Sequence, residues 1–468
     1  MKYRLLAKAQ SIKSGIIMQI ISMLLFAYLL ISISCKRPLV PPYDLVISNV
    51  TVIDGSGSPA KQHMYVGIRN GIIHKLDTLK IDQRENNIDA SGKYLIPGLF
   101  DAHAHANSYK EDFKKFIHFG VTSIFMPGGS KASNSYYEAM RSLAKQDSLP
   151  APRVYHTSQH FTMEGRHPVK TYPGGKWIEG ETVYYLRDTL QIERIVKKVS
   201  HDPIKGIKLT IEDGPSPPFV SRMPQEFVNK VASEAELYGL AVFAHVSDND
   251  ELRMALKAGI SNIIHFTGVD FDFDKEEQLV DSIIKADISW VTTLMLDKSF
   301  IYPLYPNWIQ EVEALNVYSN DTAALKDSIK IAEAQEYLNI AANFYQLKTP
   351  GFEGIVKPQV YIIKRMYDLG VNMVIGTDTG NTFIFPGYSV HEEMQMMELG
   401  GMKPLDIIRM GTLNAAKMLQ VADSLGTIEP GKVADMILLD KDPSETIKNT
   451  LSIQMVIKNG QVQRRISD

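Results

Sequence analysis

Two histidines one residue apart, His103 and His105, stand in the stretch PGLFDAHAHA. On a β-strand, residues i and i+2 point to one face, so this spacing aims both imidazoles at one place. A neutral imidazole is a common ligand for a divalent cation. Four further candidate ligands lie in apolar runs: Lys208 in GIKLTIED, His245 in LAVFAHVS, His265 in NIIHFTG and Asp378 in NMVIGTDTG. Each alone is a weak signal, because a strand-end lysine is usually solvated and Gly-Thr-Asp usually marks a turn. Together they sit at one end of five different runs, which is where a shared site would gather them.

Such a gathering needs elements that converge. Through the middle of the chain, short apolar runs alternate with amphipathic stretches: GLFDAHAH, TSIFMPGG, RVYHTSQH, GIKLTIED, LAVFAHVS, NIIHFTG, ISWVTTLM and NMVIGTDTG. In QEFVNKVASEAELYG, Phe227, Val231 and Ala235 recur every fourth residue on one helical face. Strands alternating with helices predict parallel βαβ units, and eight of them can close into a barrel whose site forms at the carboxyl ends of the strands. Residues 297–357 are longer than a usual connection and carry a helical pattern around SIKIAEAQEYLNIAANFY, which predicts a lid or substrate wall on that face.

Both chain ends have a different texture. YDLVISNVTVIDGSG and MYVGIRNGIIHKL near the start, and VADMILLD and QMVIKNGQV near the end, are Val- and Ile-rich runs broken by Asn-Gly or Gly-Ser turn signals. They predict one small β domain built from both ends. The whole chain of 468 residues, 44% apolar, is long enough for this domain and a large core. Its 50 basic and 53 acidic side chains, a formal charge of −3, give no basic field and argue against a nucleic-acid partner.

The N-terminus reads as an export signal. Lys2, Arg4, Lys8 and Lys13 precede GIIMQIISMLLFAYLLISIS, and no acidic residue comes before Asp44. This run meets Cys35, the only cysteine. SISC resembles a lipobox, with Ser34 as the small residue before the cut and Ser32 where leucine is more usual. Lipidation of Cys35 would make the protein an exported lipoprotein held at a membrane surface, in the periplasm or cell envelope; an uncleaved apolar anchor is the alternative.

Taken together, LIPGLFDAHAHA, FGVTSIFMPGG, GIKLT, FAHV, IIHFTG, GTDTG and the closing run MGTLNAAKMLQVADSLGTIEPGKVADMILLDKDP resemble the amidohydrolase superfamily. The likeness is to its imidazolonepropionase-like branch and to dipeptidases of the prolidase type. It implies an α/β fold: a distorted TIM (β/α)8 barrel at 98–424, and an accessory β-sandwich from 43–97 plus 425–468, after a signal peptide at 1–34 and a lipidated linker at 35–42. It also implies two divalent metal ions, with zinc suited to imidazole and carboxylate ligands. His103, His105 and Asp378 would hold one ion, His245 and His265 the other, and a carboxylated Lys208 would bridge both. Lys205, three residues earlier, would face the opposite way.

The implied chemistry is hydrolysis of a C–N bond in a small amide, cyclic amide or dipeptide by a metal-bridging hydroxide. Asp378 doubles as ligand and general acid/base. The alternatives are a lactonase or esterase, a ring deaminase, or a binding relic that has lost the chemistry. The related peptidases carry Gly-Gly-His after the third strand where this chain has EGRHP, so His167 is the expected substrate contact in altered surroundings. His156 and His160 are expected to be structural.

Overall fold

The structure is a computed structural model that describes residues 43–466 except 84, 147, 215–217, 267, 269, 270 and 350. The expected signal peptide, Cys35 and the linker lie outside the described residues. Five strands come first: β1 (Leu45–Val52), β2 (Lys61–Arg69), β3 (Ile72–Asp77), β4 (Asn87–Asp89) and β5 (Tyr94–Pro97). Asn70 and Gly71 join β2 to β3 with φ of 50° and 74°, the left-handed pair that a two-residue turn needs to match the twist of its strands.

The barrel strands follow. They are β6 (Leu99–Asp101), β7 (Val121–Met126), β8 (Arg153–His156), β9 (His160–Thr162), β10 (Val183–Tyr185), β11 (Gly206–Thr210), β12 (Ala241–His245), β13 (Asn262–Ile264), β14 (Ser289–Val291) and β15 (Asn372–Val374). All neighbours pair in parallel, from β6 through β7 to β8 and from β9 through β11 to β15. Two sets of backbone hydrogen bonds close the ring. Ser158 N donates to Gly206 O at 2.9 Å and Lys205 N to His156 O at 2.8 Å, while Ala102 N donates to Ile375 O at 3.1 Å. The eight expected runs are thus the eight staves.

The third stave is broken. RVYHTSQH pairs with β7 through β8 and with β11 through β9, and Thr157 to Gln159 lie between. There the hydroxyls of Thr157 and Ser158 donate to the next residue's carbonyl at 3.0 and 2.8 Å, a local competitor to the ladder. β10 adds a further parallel strand on β9.

Every residue of β6, β7 and β11 is buried, as strands covered on both faces require. Helices supply the outer cover: Gln225–Leu237 buries Phe227, Val228, Val231 and Ala235, as its spacing predicts. Each such side chain contributes about 1.5–3 kcal/mol by leaving water. Residues 297–357 hold several helices, the longest Ser328–Phe344, with Phe352–Asp368 leading into β15. Among the described residues no helix is long and apolar enough to cross a membrane.

β16 (Met436–Leu439), β17 (Ile453–Lys458) and β18 (Gln461–Gln463) complete an eight-stranded sheet with β1–β5, in the order β18-β17-β16-β5-β1-β2-β3, with β4 on β1. Both chain ends therefore share one sheet. It is mixed rather than wholly antiparallel, because β1 runs parallel to β4 and β5. The β3 side meets the stretch before β16: Ile73 N donates to Lys432 O at 2.8 Å and Ala434 N to Gly71 O at 2.8 Å. Asn459-Gly460 forms the β17–β18 turn and packs on Asn70-Gly71, so closely that a Cβ on Gly71 would stand 2.8 Å from Asn459 O. The described residues from Asp44 onward form one compact unit.

Candidate metal centre

His103 and His105 follow β6, and Asp378 follows β15, the stave beside it. Asp378 Oδ1 lies 3.3 Å from Nε2 of both histidines. Two ligands about 2.0–2.1 Å from a common ion at the tetrahedral angle stand roughly 3.3 Å apart. Asp378 adopts a left-handed φ of 61°, rare for a residue with a side chain and common where backbone strain serves a site. Asp101 holds this half together. Buried at the end of β6, it accepts from Thr377 N at 3.0 Å, Thr377 Oγ1 at 2.6 Å and His103 N at 3.3 Å.

His245 ends β12 and His265 follows β13, with ring centroids 4.1 Å apart. The His265 ring is 4.6 Å from that of His103, which joins the two halves. Lys208, in the middle of β11, is 1% exposed. Among the described residues its Nζ has no hydrogen-bond partner, and neither do His103 Nδ1, His245 Nδ1, His265 Nε2 and Asp378 Oδ1. Buried polar atoms are ordinarily paired, so His245 Nδ1, His265 Nε2 and Asp378 Oδ1, unpartnered in one place, fit cations as their partners. The structure brings together all six ligands expected from the sequence.

The electrostatics agree with ligation. Desolvation, then neighbouring positive charge, holds His103, His245 and His265 well below the ordinary imidazole value, which keeps their lone pairs free. Burial pushes Lys208 down to about 7, against the opposing pull of Asp378 and Glu212. Burial pushes the Asp378 carboxyl up, but the His105 imidazole and the charges of His265 and Lys208 outweigh it and leave it below its usual value.

His167 is also drawn in: its ring lies 5.1 Å from that of His245, and its Nε2 is 3.6 Å from Glu212 Oε2. His156 is satisfied elsewhere, with Nδ1 3.0 Å from Thr157 O and Nε2 2.8 Å from Arg141 Nη1. His160 Nδ1 lies 3.3 Å from Thr210 Oγ1. Lys205 sets its ammonium 5.3 Å from the Tyr155 ring centroid.

Glu212, Asp101 and Thr293 are site residues that the sequence reading missed. Glu212 is 3% exposed and touches His245 Nε2 directly; burial holds its carboxyl above the ordinary range. The period of two carries a signal for it, since Lys208, Thr210 and Glu212 alternate onto one face, as do Asp101, His103 and His105. Thr293 had no such signal. An acidic trio beside the mouth, Asp213, Asp248 and Glu251, already holds a cation: Arg222 Nε lies 3.0 Å from Asp213 and 3.2 Å from Glu251.

A groove of about 390 Å³ opens beside His105, walled by Lys115 and Asn381, by Phe383, and by Asp321 and Lys330 of the long insertion.

The chain is similar over most of its length to enzymes of known name. Imidazolonepropionase of Brevibacillus brevis is 23% identical over 418 residues, 85% of this chain and 89% of that protein. The 5-methylthioadenosine/S-adenosylhomocysteine deaminase of Acetivibrio thermocellus is 22% identical over 443 residues, 89% and 90% of the two chains. Among solved structures, a Xaa-Pro dipeptidase with methionine bound in its active site superposes with a TM-score of 0.67 at 20% identity, covering 90% of this chain and 99% of that one. Molinate hydrolase does so at 0.66 and 18%, covering 90% and 94%. The sequence pattern of the amidohydrolase family matches residues 94–462, from β5 to β18, and with it the staves that carry all six expected ligands: this chain belongs to the amidohydrolase family.

Proposed function

We propose that this protein hydrolyses a C–N bond in a small amide, cyclic amide or dipeptide, using two divalent cations, with zinc the best match to its donors. The observation that supports this most is the set of unpartnered atoms on His245, His265 and Asp378 beside the unpartnered amine of Lys208. His103, His105 and Asp378 would hold one ion, and His245 and His265 the other. When bound, the ions would polarise the scissile carbonyl and bring the pKa of water down to about 7.

The chain's own groups do the rest. Burial leaves part of the Lys208 amine neutral; that form attacks carbon dioxide, an N–C bond forms, one proton leaves, and Lys208 becomes a carbamate with two ligand oxygens. The Asp378 carboxylate, through the oxygen other than the Oδ1 that stands beside both histidines, accepts the proton of the attacking water and delivers it to the leaving nitrogen. His167, next to Glu212 and His245, contacts the substrate. On this reading 43–97 with 425–468 form the accessory domain and 98–424 the catalytic barrel.

Metal analysis tests the proposal. Purified protein is expected to hold about two ions per chain, and His245→Ala with His265→Ala to leave one or none and no turnover. Wild-type protein that stays metal-free when expressed with ample zinc would sink the reading. Metal-loaded protein lacking residues 1–35 should cleave members of a panel of N-acyl amino acids, dipeptides and cyclic amides; turnover only of amino-substituted rings would favour deamination. We also propose export and lipid anchoring through Cys35, on the strength of the first 42 residues. Cys35→Ser should then abolish incorporation of labelled fatty acid, and equal labelling of both proteins would exclude that site.

A further inference from the structure

The centre opens on one side. The His105 side chain is 28% exposed, where those of His103, Asp378 and His245 are 2, 10 and 16% exposed. Beyond His105 lies the groove of about 390 Å³, tied to the ligand loops: Asn107 Nδ2 donates to Gly380 O at 2.8 Å and Asn381 Nδ2 to Asp378 O at 2.9 Å. The helix Tyr109–His118 forms one wall. It lays Ser108, Asp112 and Lys115 along the groove, a spacing of four and then three that keeps them on one helical face. From Ser108 to Lys115 that face spans about 10 Å, at the helical rise of about 1.5 Å per residue.

The floor is apolar and fixed. Phe383, Ile384 and Phe385 are buried beneath the groove, and the φ of 62° at Phe383 is strain that persists only where the surroundings impose it. Tyr318 of the long insertion backs them, with its ring 5.0 Å from that of Phe385 and its hydroxyl donating to Pro386 O.

The charges along the groove are not alike. Asp112 already accepts from Ser108 N at 2.8 Å, and Lys330 Nζ donates to Glu333 at 2.7 Å. Lys115 is open: its Nζ lies 4.9 Å from the Tyr318 ring centroid and 3.8 Å from Asp321, beyond hydrogen-bond reach. A half-buried ammonium with three donors, and no hydrogen-bonded acceptor among the described residues, suits an anion.

We infer that the groove holds one arm of the substrate, an apolar chain of about 10 Å that ends in a carboxylate on Lys115. The inference rests on hydrolysis at the metal centre as proposed above and narrows its substrate class. Three extended residues beyond the scissile bond, at about 3.3 Å each, supply such an arm, and so does an acyl chain with a carboxylate at its far end. Lys115 then sets specificity without touching the reacting atoms. The rival is a cationic arm paired with Asp321, whose side chain is 56% exposed, and an ion pair in water gains little.

The test builds one apolar arm into peptides and into acyl anilides, ended in turn by a carboxylate, a carboxamide and an ammonium, and measures kcat/KM for each with metal-loaded protein. Wild type is expected to favour the carboxylate over the carboxamide by about 10–100-fold, the weight of a hydrogen bond to a charged group, and to do so mainly through KM. Arms too short to reach Lys115 should show no preference. Lys115→Met should bring the ratio near one, and Lys115→Glu should turn it toward the ammonium. Lys114→Met should keep it, because Lys114 is exposed and pairs with Glu111. The ratio is internal to each preparation, so a loss of folded protein does not disturb it. A preference confined to peptides makes the carboxylate a chain terminus, and one confined to anilides makes it part of the acyl group; either supports the inference. Wild type that treats carboxylate and carboxamide alike or prefers the ammonium, or a Lys115→Met that keeps the wild-type ratio, overturns the inference and leaves the metal-dependent reading standing. Metal-loaded wild type that cleaves no amide with any arm brings down that reading, and the inference with it.

Discussion

Lys208 and Lys298 are both buried, as are His156 and His265, yet within each pair the cost of burial is met differently. Lys298 places Nζ 2.7 Å from Glu392 and 5.0 Å from the Trp308 ring centroid, and His156 has a partner for each nitrogen. Lys208 Nζ and His265 Nε2 have none among the described residues. Lys298 and His156 are closed by the fold, and Lys208 and His265 are left open by it. Residue type and burial are alike, so the open valence is what separates a candidate ligand from a strut. An unpaired buried polar group costs about 1–3 kcal/mol, and a chain that keeps several side by side meets that cost with a bound partner.

The largest expected effect breaks the lysine pair apart. Lys208→Met should lose one of two ions and lower turnover by several orders of magnitude, since methionine fills the space without a carboxylate. Lys208→Ala leaves room, and acetate or propionate should restore activity in proportion to its concentration. Full metal occupancy and near-normal turnover in Lys208→Met would return the protein to a one-metal design. Stability of the metal-free protein should move little, because the replaced amine has no partner to strand.

Lys298→Met should do the opposite. It strands Glu392, which also accepts from Tyr302 Oη at 3.0 Å and Ser389 Oγ at 3.1 Å, and removing one partner of a buried ion pair costs about 3–5 kcal/mol. Urea unfolding should register that loss while metal content stays at two ions. A metal-depleted but fully stable Lys298→Met would erase the distinction between closed and open sites.

Much of this contrast was readable beforehand, and what was not has a physical reason. Alternation placed His103 with His105, and the eight apolar runs placed the six expected ligands on converging staves, because period and strand order are local properties of the chain. Thr293 and Glu393 were beyond reach. Thr293 matters through a hydrogen bond to His265, 28 residues away, and Glu393 through bonds to residues 98–101 positions earlier. Neither partnership leaves a periodic trace. The break in the third stave escaped for another reason: Thr157 and Ser158 have strand-compatible side chains, and only their hydroxyls' turn toward their own backbone ends the ladder.

The smallest effect concerns His156, and here the sign decides. Arg141 is always a donor, so Nε2 of His156 must accept, and Nδ1–H donates to Thr157 O; the ring is held neutral. Burial, with the Arg141 charge adding to it against the Thr157 hydrogen bond, pushes its pKa down to about 4. An unfolded chain takes up a proton near pH 6.5, and the folded one does not until near pH 4, so across that window the unfolded state binds more protons. The stability tied to this histidine is therefore present above about pH 6.5 and lost as the pH falls toward 4. Between pH 7 and pH 5 the loss is about 2 kcal/mol. His156→Leu removes the titrating group, so metal-free variant and wild type unfolded by urea at both pH values should differ in slope by about that amount, whatever the variant's stability at pH 7. Parallel slopes would mean that His156 titrates as freely in the fold as outside it, and that its two partners do not close it.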